Sequence, residues 1–226
     1  MYIMPFDPQF DVNPAPNEPS EHPEPVRELI IKAAGEAFAR EGYAATTVAS
    51  IALMAGLPKS NVLYYFKSKD NLYAQVLEDI APPYLNACMP LKADDEPFAA
   101  LTGMVTAMIS LFEHQPFAAK VFMIELKEGA RRLPGETFER WSAQAQKSVA
   151  SLRQWIDRGL LAPVDPEHVL LSLWAIAQSC VSLGWQIPSV RGQGIDYQAA
   201  ASTATRLLLS GLTPASPALM RRTVHG

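Results

Sequence analysis

Lys59, Ser60 and Asn61 stand consecutively at what reads as the first turn of a helix, with Tyr64, Tyr65 and Lys69 following within ten residues. Short polar and basic side chains at a helix start can reach base edges or phosphates in a DNA major groove. This chemistry makes hydrogen bonds to a polyanion and breaks no covalent bond. Ser60 and Asn61 suit base edges, Thr47, Tyr65 and Lys69 suit phosphate oxygens, and Lys59 fits either role. Tyr64 reads as a further contact or as core, and Leu63 as a thymine-methyl contact or inward packing.

The elements that must position these groups are legible nearby. Val48, Ile51, Ala52 and Ala55 fall at i, i+3, i+4 and i+7 behind Thr46 and Thr47, which supply an N-cap signal. Ala55-Gly56-Leu57 then gives a turn in which glycine can adopt positive φ, and Pro58 suits the start of the next helix. Ser68 can cap a further helix, whose N-terminal amides and Lys69 suit a phosphate. The pattern is a helix-turn-helix, preceded by a helix from Val26 to Gly42 with Ile30, Ala33, Ala34, Ala37 and Phe38 on one face.

A second constellation lies far downstream. Trp174 and Gln178, at i and i+4, put an aromatic plate beside an amide that both donates and accepts, a pairing suited to a planar polar ring. Tyr84, Phe122 and Cys180 are candidate wall residues. The alternative is that Trp155, Trp174, Trp185, Phe122 and Met123 are simply core. Enzyme chemistry finds little: Gly192-x-Gly194 is a lone glycine pair, and Glu125 and Glu128, at i and i+3, read as a solvated helix edge. Cys88, Cys180 and the four histidines lack paired ligand spacing, so neither metal nor cofactor is expected.

Composition sets the frame. The 226 residues are 49% hydrophobic with a net charge of -4, enough apolar material for a small domain and a larger one. Residues 1–25 carry five acidic and no basic residues, whereas 26–73 carry six basic against four acidic, making that segment the net basic one. Modest positive charge implies few phosphate contacts per subunit and a dimer. Residues 1–24 read as a disordered acidic proline-rich tail, 25–72 as the helix-turn-helix domain, 73–213 as a ligand-binding and dimerisation domain, and 214–226 as a flexible tail. Period-3.6 patterning without strand alternation predicts an all-α fold of about nine helices. Ala81-Pro82-Pro83 is expected to kink or end the fourth helix, Asp94 or Asp95 to cap the fifth, and Phe117 to be buried in the sixth. Residues 169–190 carry no charge, but their serines, glutamines and glycine argue against a membrane span and for a buried subunit interface. Two cysteines without a Cys-x-x-Cys pattern or secretory signal point to a reducing cytoplasm.

The run Ala-Gly-Leu-Pro-Lys-Ser-Asn-Val-Leu-Tyr-Tyr-Phe-Lys-Ser-Lys, from Ala55 to Lys69, with Thr47 ahead and Leu72 behind, closely resembles the DNA-binding domain of TetR-family transcriptional regulators. Leu63 stands where most members carry tyrosine, and Tyr65 where a phosphate-contacting His or Tyr usually sits. The Leu-Tyr-Tyr-Phe version, together with residues 155–174, is similar to the RutR branch, the pyrimidine-utilisation regulators. The resemblance spans roughly residues 26–213. It implies a homodimer formed by two late helices, a palindromic double-stranded operator, and a repressor released by a small-molecule effector, a pyrimidine in that branch. The alternatives are a ligand-independent dimeric DNA-binding protein and, with least support, an all-α enzyme.

Overall fold

The computed structural model describes residues 23–183 and 186–214; the expectations for the acidic N-terminal segment, the last residues and Trp185 fall on residues outside that set. The described residues form ten helices and no strand. The one beyond the expected nine is a five-residue helix near the C-terminus.

Helices α1 (Pro23–Ala45), α2 (Val48–Ala55) and α3 (Lys59–Phe66) make the N-terminal domain. The α1 stripe Ile30, Ala33, Ala34, Ala37 and Phe38 is buried against α2, α4 and α6, and withdrawing Phe38 or Ile30 from water contributes roughly 2 kcal/mol each. Gly42, at φ 77°, deflects the last turn of α1 where the sequence predicts its end. Helix α2 begins with a capping box: Thr47 Oγ1 accepts from the Ser50 amide at 3.0 Å, and Ser50 Oγ accepts from the Thr47 amide at 3.1 Å. It ends at Gly56, φ 67°, where the Leu57 amide bonds back to the Ala52 carbonyl at 2.9 Å.

Helix α4 (Lys69–Ala87) starts on Ser68, whose hydroxyl accepts from the Asn71 amide at 3.1 Å. It does not end at Pro82-Pro83 but runs on to Ala87. Two prolines withdraw two amide donors from the ladder, yet Ile80, Ala81, Tyr84 and Leu85 are all buried, and that packing keeps the helix together across the gap. The larger domain adds α5 (Pro97–His114), α6 (Pro116–Lys127), α7 (Gly135–Asp157), α8 (Pro166–Ser182), α9 (Ile187–Arg191) and α10 (Tyr197–Leu212). Glu96, rather than Asp94 or Asp95, caps α5: its carboxylate accepts from the amides of Phe98 and Ala99 at 3.2 and 2.6 Å. Helix α5 is central, packed on α4, α6, α8 and α10. Helix α7 is fastened to the α4–α5 connection through Ser148, Ser151 and Trp155, which bond to the backbone of Leu91 and Ala93. Phe117 is not buried; it is 41% exposed beneath the Arg40 guanidinium. No described helix is long and apolar enough to cross a membrane, and no described cluster of His, Cys, Asp or Glu could hold a metal ion.

Candidate nucleic-acid interface and effector core

Helix α3 is seated by Val62 and Phe66, 1% and 6% exposed, which turns the other side of its eight residues to solvent. Lys59 and Ser60 are exposed at its first turn and Asn61 is half-buried beside them. The N-terminal end of the helix carries partial positive charge and no acidic side chain stands in its first turn, so an approaching phosphate meets no repulsion there. Tyr64, for which the sequence leaves two readings, is 65% exposed and edge-on to Tyr65 at 5.3 Å. Leu63 also faces out. Lys67 closes the helix at φ 64°, a conformation side chains other than glycine rarely adopt, with its ammonium donating to the Tyr64 carbonyl at 2.7 Å.

Two of the expected phosphate contacts also brace the fold. The Thr47 hydroxyl is engaged in the α2 cap. Lys69 Nζ donates to the carbonyls of Tyr43 and Thr46 at 2.9 and 3.0 Å and lies 4.3 Å from the Tyr43 ring centre, leaving one N–H for a phosphate. That ring is part of a larger assembly. The Tyr43 hydroxyl donates to Asp70, the Arg132 guanidinium lies 4.0 Å from the ring centre, and Tyr73 packs edge-on to Tyr43 at 4.9 Å. Tyr73 in turn donates to Glu125 at 3.0 Å, and Glu125 also accepts from the Arg132 amide at 2.5 Å. Burial, then the Glu125 carboxylate, pushes the Tyr73 hydroxyl well above the usual phenol range; burial, then Asp70, raises that of Tyr43.

Glu125 therefore corrects the sequence reading. It is not a solvated helix edge: its side chain is 1% exposed, and it joins α6 to α4. Glu128, one turn on, is exposed as expected. Nothing local marks this difference, because the partner that requires a carboxylate there is 52 residues away.

The downstream constellation is only partly assembled as expected. Gln178 Nε2 donates to the Tyr84 hydroxyl at 3.3 Å, and the Tyr84 ring lies on Phe122 at 4.4 Å, so three of the five candidate residues meet. Tyr84 and Phe122 are almost completely withdrawn from solvent. Trp174 shares the Gln178 face of α8, and its ring lies 5.4 Å from that of Trp141 on α7. Cys180 lies apart. Two positions beyond Gln178 it points to the other side of the helix, where it neighbours Tyr197 of α10. The thiol that meets the Tyr84 hydroxyl is that of Cys88, which burial pushes up to about 12. Burial likewise drives the Tyr84 hydroxyl far above its ordinary range, with Cys88 adding to it.

Comparison with known proteins matches the two parts of the chain separately. Residues 30–76 match the family described as bacterial regulatory proteins, tetR family, and residues 77–215 match the C-terminal region of YcdC-like proteins. The HTH-type transcriptional regulator RutR of Escherichia coli K12 is 29% identical over 192 residues, covering 83% of this chain and 91% of that protein. The HTH-type transcriptional repressor KstR2 of Mycolicibacterium smegmatis is 26% identical over 202 residues, covering 88% and 96%. Among solved structures, the putative transcriptional regulator SCO4942 of Streptomyces coelicolor superposes with a TM-score of 0.64 at 26% identity, covering 84% of this chain and 99% of that one. The ketosteroid regulator KstR2 of Mycobacterium tuberculosis, at 23% identity, has the same fold with a TM-score of 0.66, covering 84% and 95%. With both its domains matched and α3 set on the surface by a capped α2 and a glycine turn, the chain belongs to the TetR family of bacterial regulatory proteins.

Proposed function

We propose that this transcriptional regulator is a homodimeric repressor that binds a palindromic operator through α3 and is released by a small planar effector, a pyrimidine being the leading class. The observation that carries the reading is α3 itself, whose outer side presents Lys59, Ser60, Asn61 and Tyr64 together while Val62 and Phe66 hold it in place. Ser60 and Asn61 read base edges; Lys59, Tyr65, Thr47 and the remaining N–H of Lys69 meet phosphates. Dimerisation uses α8 and α10, which leave Leu171 and Leu207 54% and 68% exposed, apolar area that a second copy would cover. The likeness to RutR and the meeting of Tyr84, Phe122 and Gln178 support an effector seated between α4, α6 and α8. Because Tyr84 and Tyr73 lie on the same helix, a ligand that moves Tyr84 also displaces the Tyr73–Glu125 contact and, through Tyr43, the cap of α2. Linkage then requires that operator binding weaken effector binding by the same factor.

The test is selection of bound sequences from random duplex DNA, followed by fluorescence anisotropy on the selected site. An imperfect palindrome is expected. Asn61→Ala should weaken the selected site by about 1–3 kcal/mol and flatten base preference, whereas Lys59→Ala acting on a phosphate would weaken all duplexes alike and lower the salt slope by about one per subunit. If Asn61→Ala kept the full sequence preference, α3 would not be the reading element.

A further inference from the structure

The connection from α6 to α7 is held in a backbone shape that its residues do not favour. Gly129, at φ 88°, closes α6 as a glycine cap, its amide bonding back to the Leu126 carbonyl at 3.1 Å. Ala130 follows at φ 56°, a left-handed conformation that a Cβ opposes. Strain of this kind persists only where the surroundings fix it, and it gathers at functional sites. Here Glu125 fixes it. Its carbonyl accepts from the Ala130 amide at 2.8 Å and its buried carboxylate from the Arg132 amide at 2.5 Å, while Leu133 is buried just beyond. The outcome is a braced turn that carries Arg131 and Arg132 exposed, side by side in the chain.

We propose that this turn is a second phosphate-binding element, with Arg132 and Arg131 gripping the DNA backbone beside the phosphate assigned to Lys69. The proposal rests on the reading of α3 as the DNA-binding helix and extends that interface into the larger domain. The Arg132 guanidinium and the Lys69 ammonium lie 4.0 and 4.3 Å from the centre of one ring, that of Tyr43. The two charges are therefore at most about 8 Å apart, within roughly one Debye length at physiological salt. Like charges that close repel, and an anion shared between them turns repulsion into attraction. Among the described residues no carboxylate pairs with either guanidinium. Asp70 accepts from the Tyr43 hydroxyl, and Glu125 gives its charge to Tyr73 and to the Arg132 amide. A guanidinium lying over a ring keeps its N–H edge for acceptors, the fork that suits phosphate. Charge supports the assignment: residues 127–132 hold three basic and one acidic residue, the same surplus of two as the whole of residues 26–73. Lys127 has another use, since it complements the C-terminal end of α6. Packing of Arg132 on Tyr43 would account for one arginine, but it would leave the salt dependence of DNA binding untouched.

The experiment is fluorescence anisotropy of the full-length protein on the selected duplex and on an unrelated duplex of equal length, across a series of KCl concentrations. Arg131→Ala and Arg132→Gln should each lower the slope of log affinity against log salt by about 0.9 per subunit, close to two for a dimer. Both should weaken the two duplexes by the same factor, roughly tenfold at 0.1 M salt, and leave sequence preference unchanged. Arg132→Lys keeps the charge and should keep the slope. Arg158→Ala is the control: Arg158 lies past the far end of α7, about 35 Å along the helix, and its loss should not move the slope. Thermal unfolding of the free proteins accompanies every variant, and should Arg132→Gln fail to fold, Arg131→Ala carries the test. If both variants keep the wild-type slope to within about 0.3 while Asn61→Ala flattens base preference, the turn is not a phosphate site and the reading of α3 stands. An equal fall in slope for Arg158→Ala, or a loss confined to the selected duplex, also overturns the assignment. No salt-dependent binding of wild type to any duplex overturns the reading of α3 and this proposal with it.

Discussion

Tyr73→Phe removes one hydroxyl from the junction between the two domains, and the structure sets what this should do. The hydroxyl donates at 3.0 Å to a carboxylate that is 1% exposed and has one other donor, the Arg132 amide. A hydrogen bond to a charged group is worth about 1.5–3 kcal/mol, and an oxygen left buried without a donor costs a similar amount. The variant should therefore be less stable by about 2–3 kcal/mol, or roughly 5–10 °C in Tm for a chain of this size. The phenylalanine ring still fills the space against Phe38 and Tyr43, so no cavity contributes. Urea unfolding followed by circular dichroism at fixed protein concentration measures the change, and a cycle with Glu125→Leu separates the bond from its surroundings. The double variant should be less destabilised than the sum of the singles by more than about 1 kcal/mol, because removing both partners leaves no orphaned carboxylate. Operator affinity should fall too, since Tyr73 supports Tyr43 and hence the carbonyls that hold Lys69. A loss below about 0.5 kcal/mol, or strict additivity with Glu125→Leu, would refute the reasoning.

Two further expectations follow from the backbone and the thiols. Gly56→Ala and Gly103→Ala both place a methyl group where no atom lies within 4 Å, so only backbone conformation distinguishes them. At φ 67° Gly56→Ala should cost about 1–2 kcal/mol, whereas Gly103→Ala, inside α5, should gain roughly 0.5–1 kcal/mol; equal effects in chemical denaturation would contradict this. Cys88, with a thiol pushed up to about 12, and Cys180, also raised by burial, remain protonated at pH 8 and should react with a disulfide reagent only as fast as the protein opens. A rapid two-thiol burst in native buffer would show that the α4–α8 region is not closed.

The reading head was the more legible part of the molecule, because its cues are local. The Thr47 cap, the turn at Gly56 and the Ser68 cap each depend on residues within a few positions, and all three appear where residue type and spacing place them. Where partners are distant, local cues misled. Glu125 looked like an exposed edge because Tyr73 is 52 residues away. Pro82-Pro83 read as a kink or an end, and nothing local chose between them, because the burial of Tyr84 and Leu85, which holds α4 together past them, depends on the larger domain. A tryptophan and a glutamine three apart are ordinary on an amphipathic helix, and only burial reveals that the polar atoms of Trp141 and Gln144 lack partners. Cys180, a candidate wall residue, lies two positions beyond Gln178, and a helix turns the two to opposite sides.

The junction also bears on how regulators of this kind can be recombined. The two family matches divide the chain between residues 76 and 77, within α4, which suggests a convenient place to exchange C-terminal halves. The physical seam lies elsewhere. Glu125 and Arg132, from the C-terminal half, hold Tyr73 and Tyr43 of the N-terminal half, and α1 packs directly on α6. A chimaera cut inside α4 that receives a foreign α6 would carry α3 intact but lose the carboxylate and guanidinium that hold Tyr73 and Tyr43. Grafting this head onto another sensor thus calls for transplanting residues 125 and 132 as well, a patch of the recipient rather than a length of the donor.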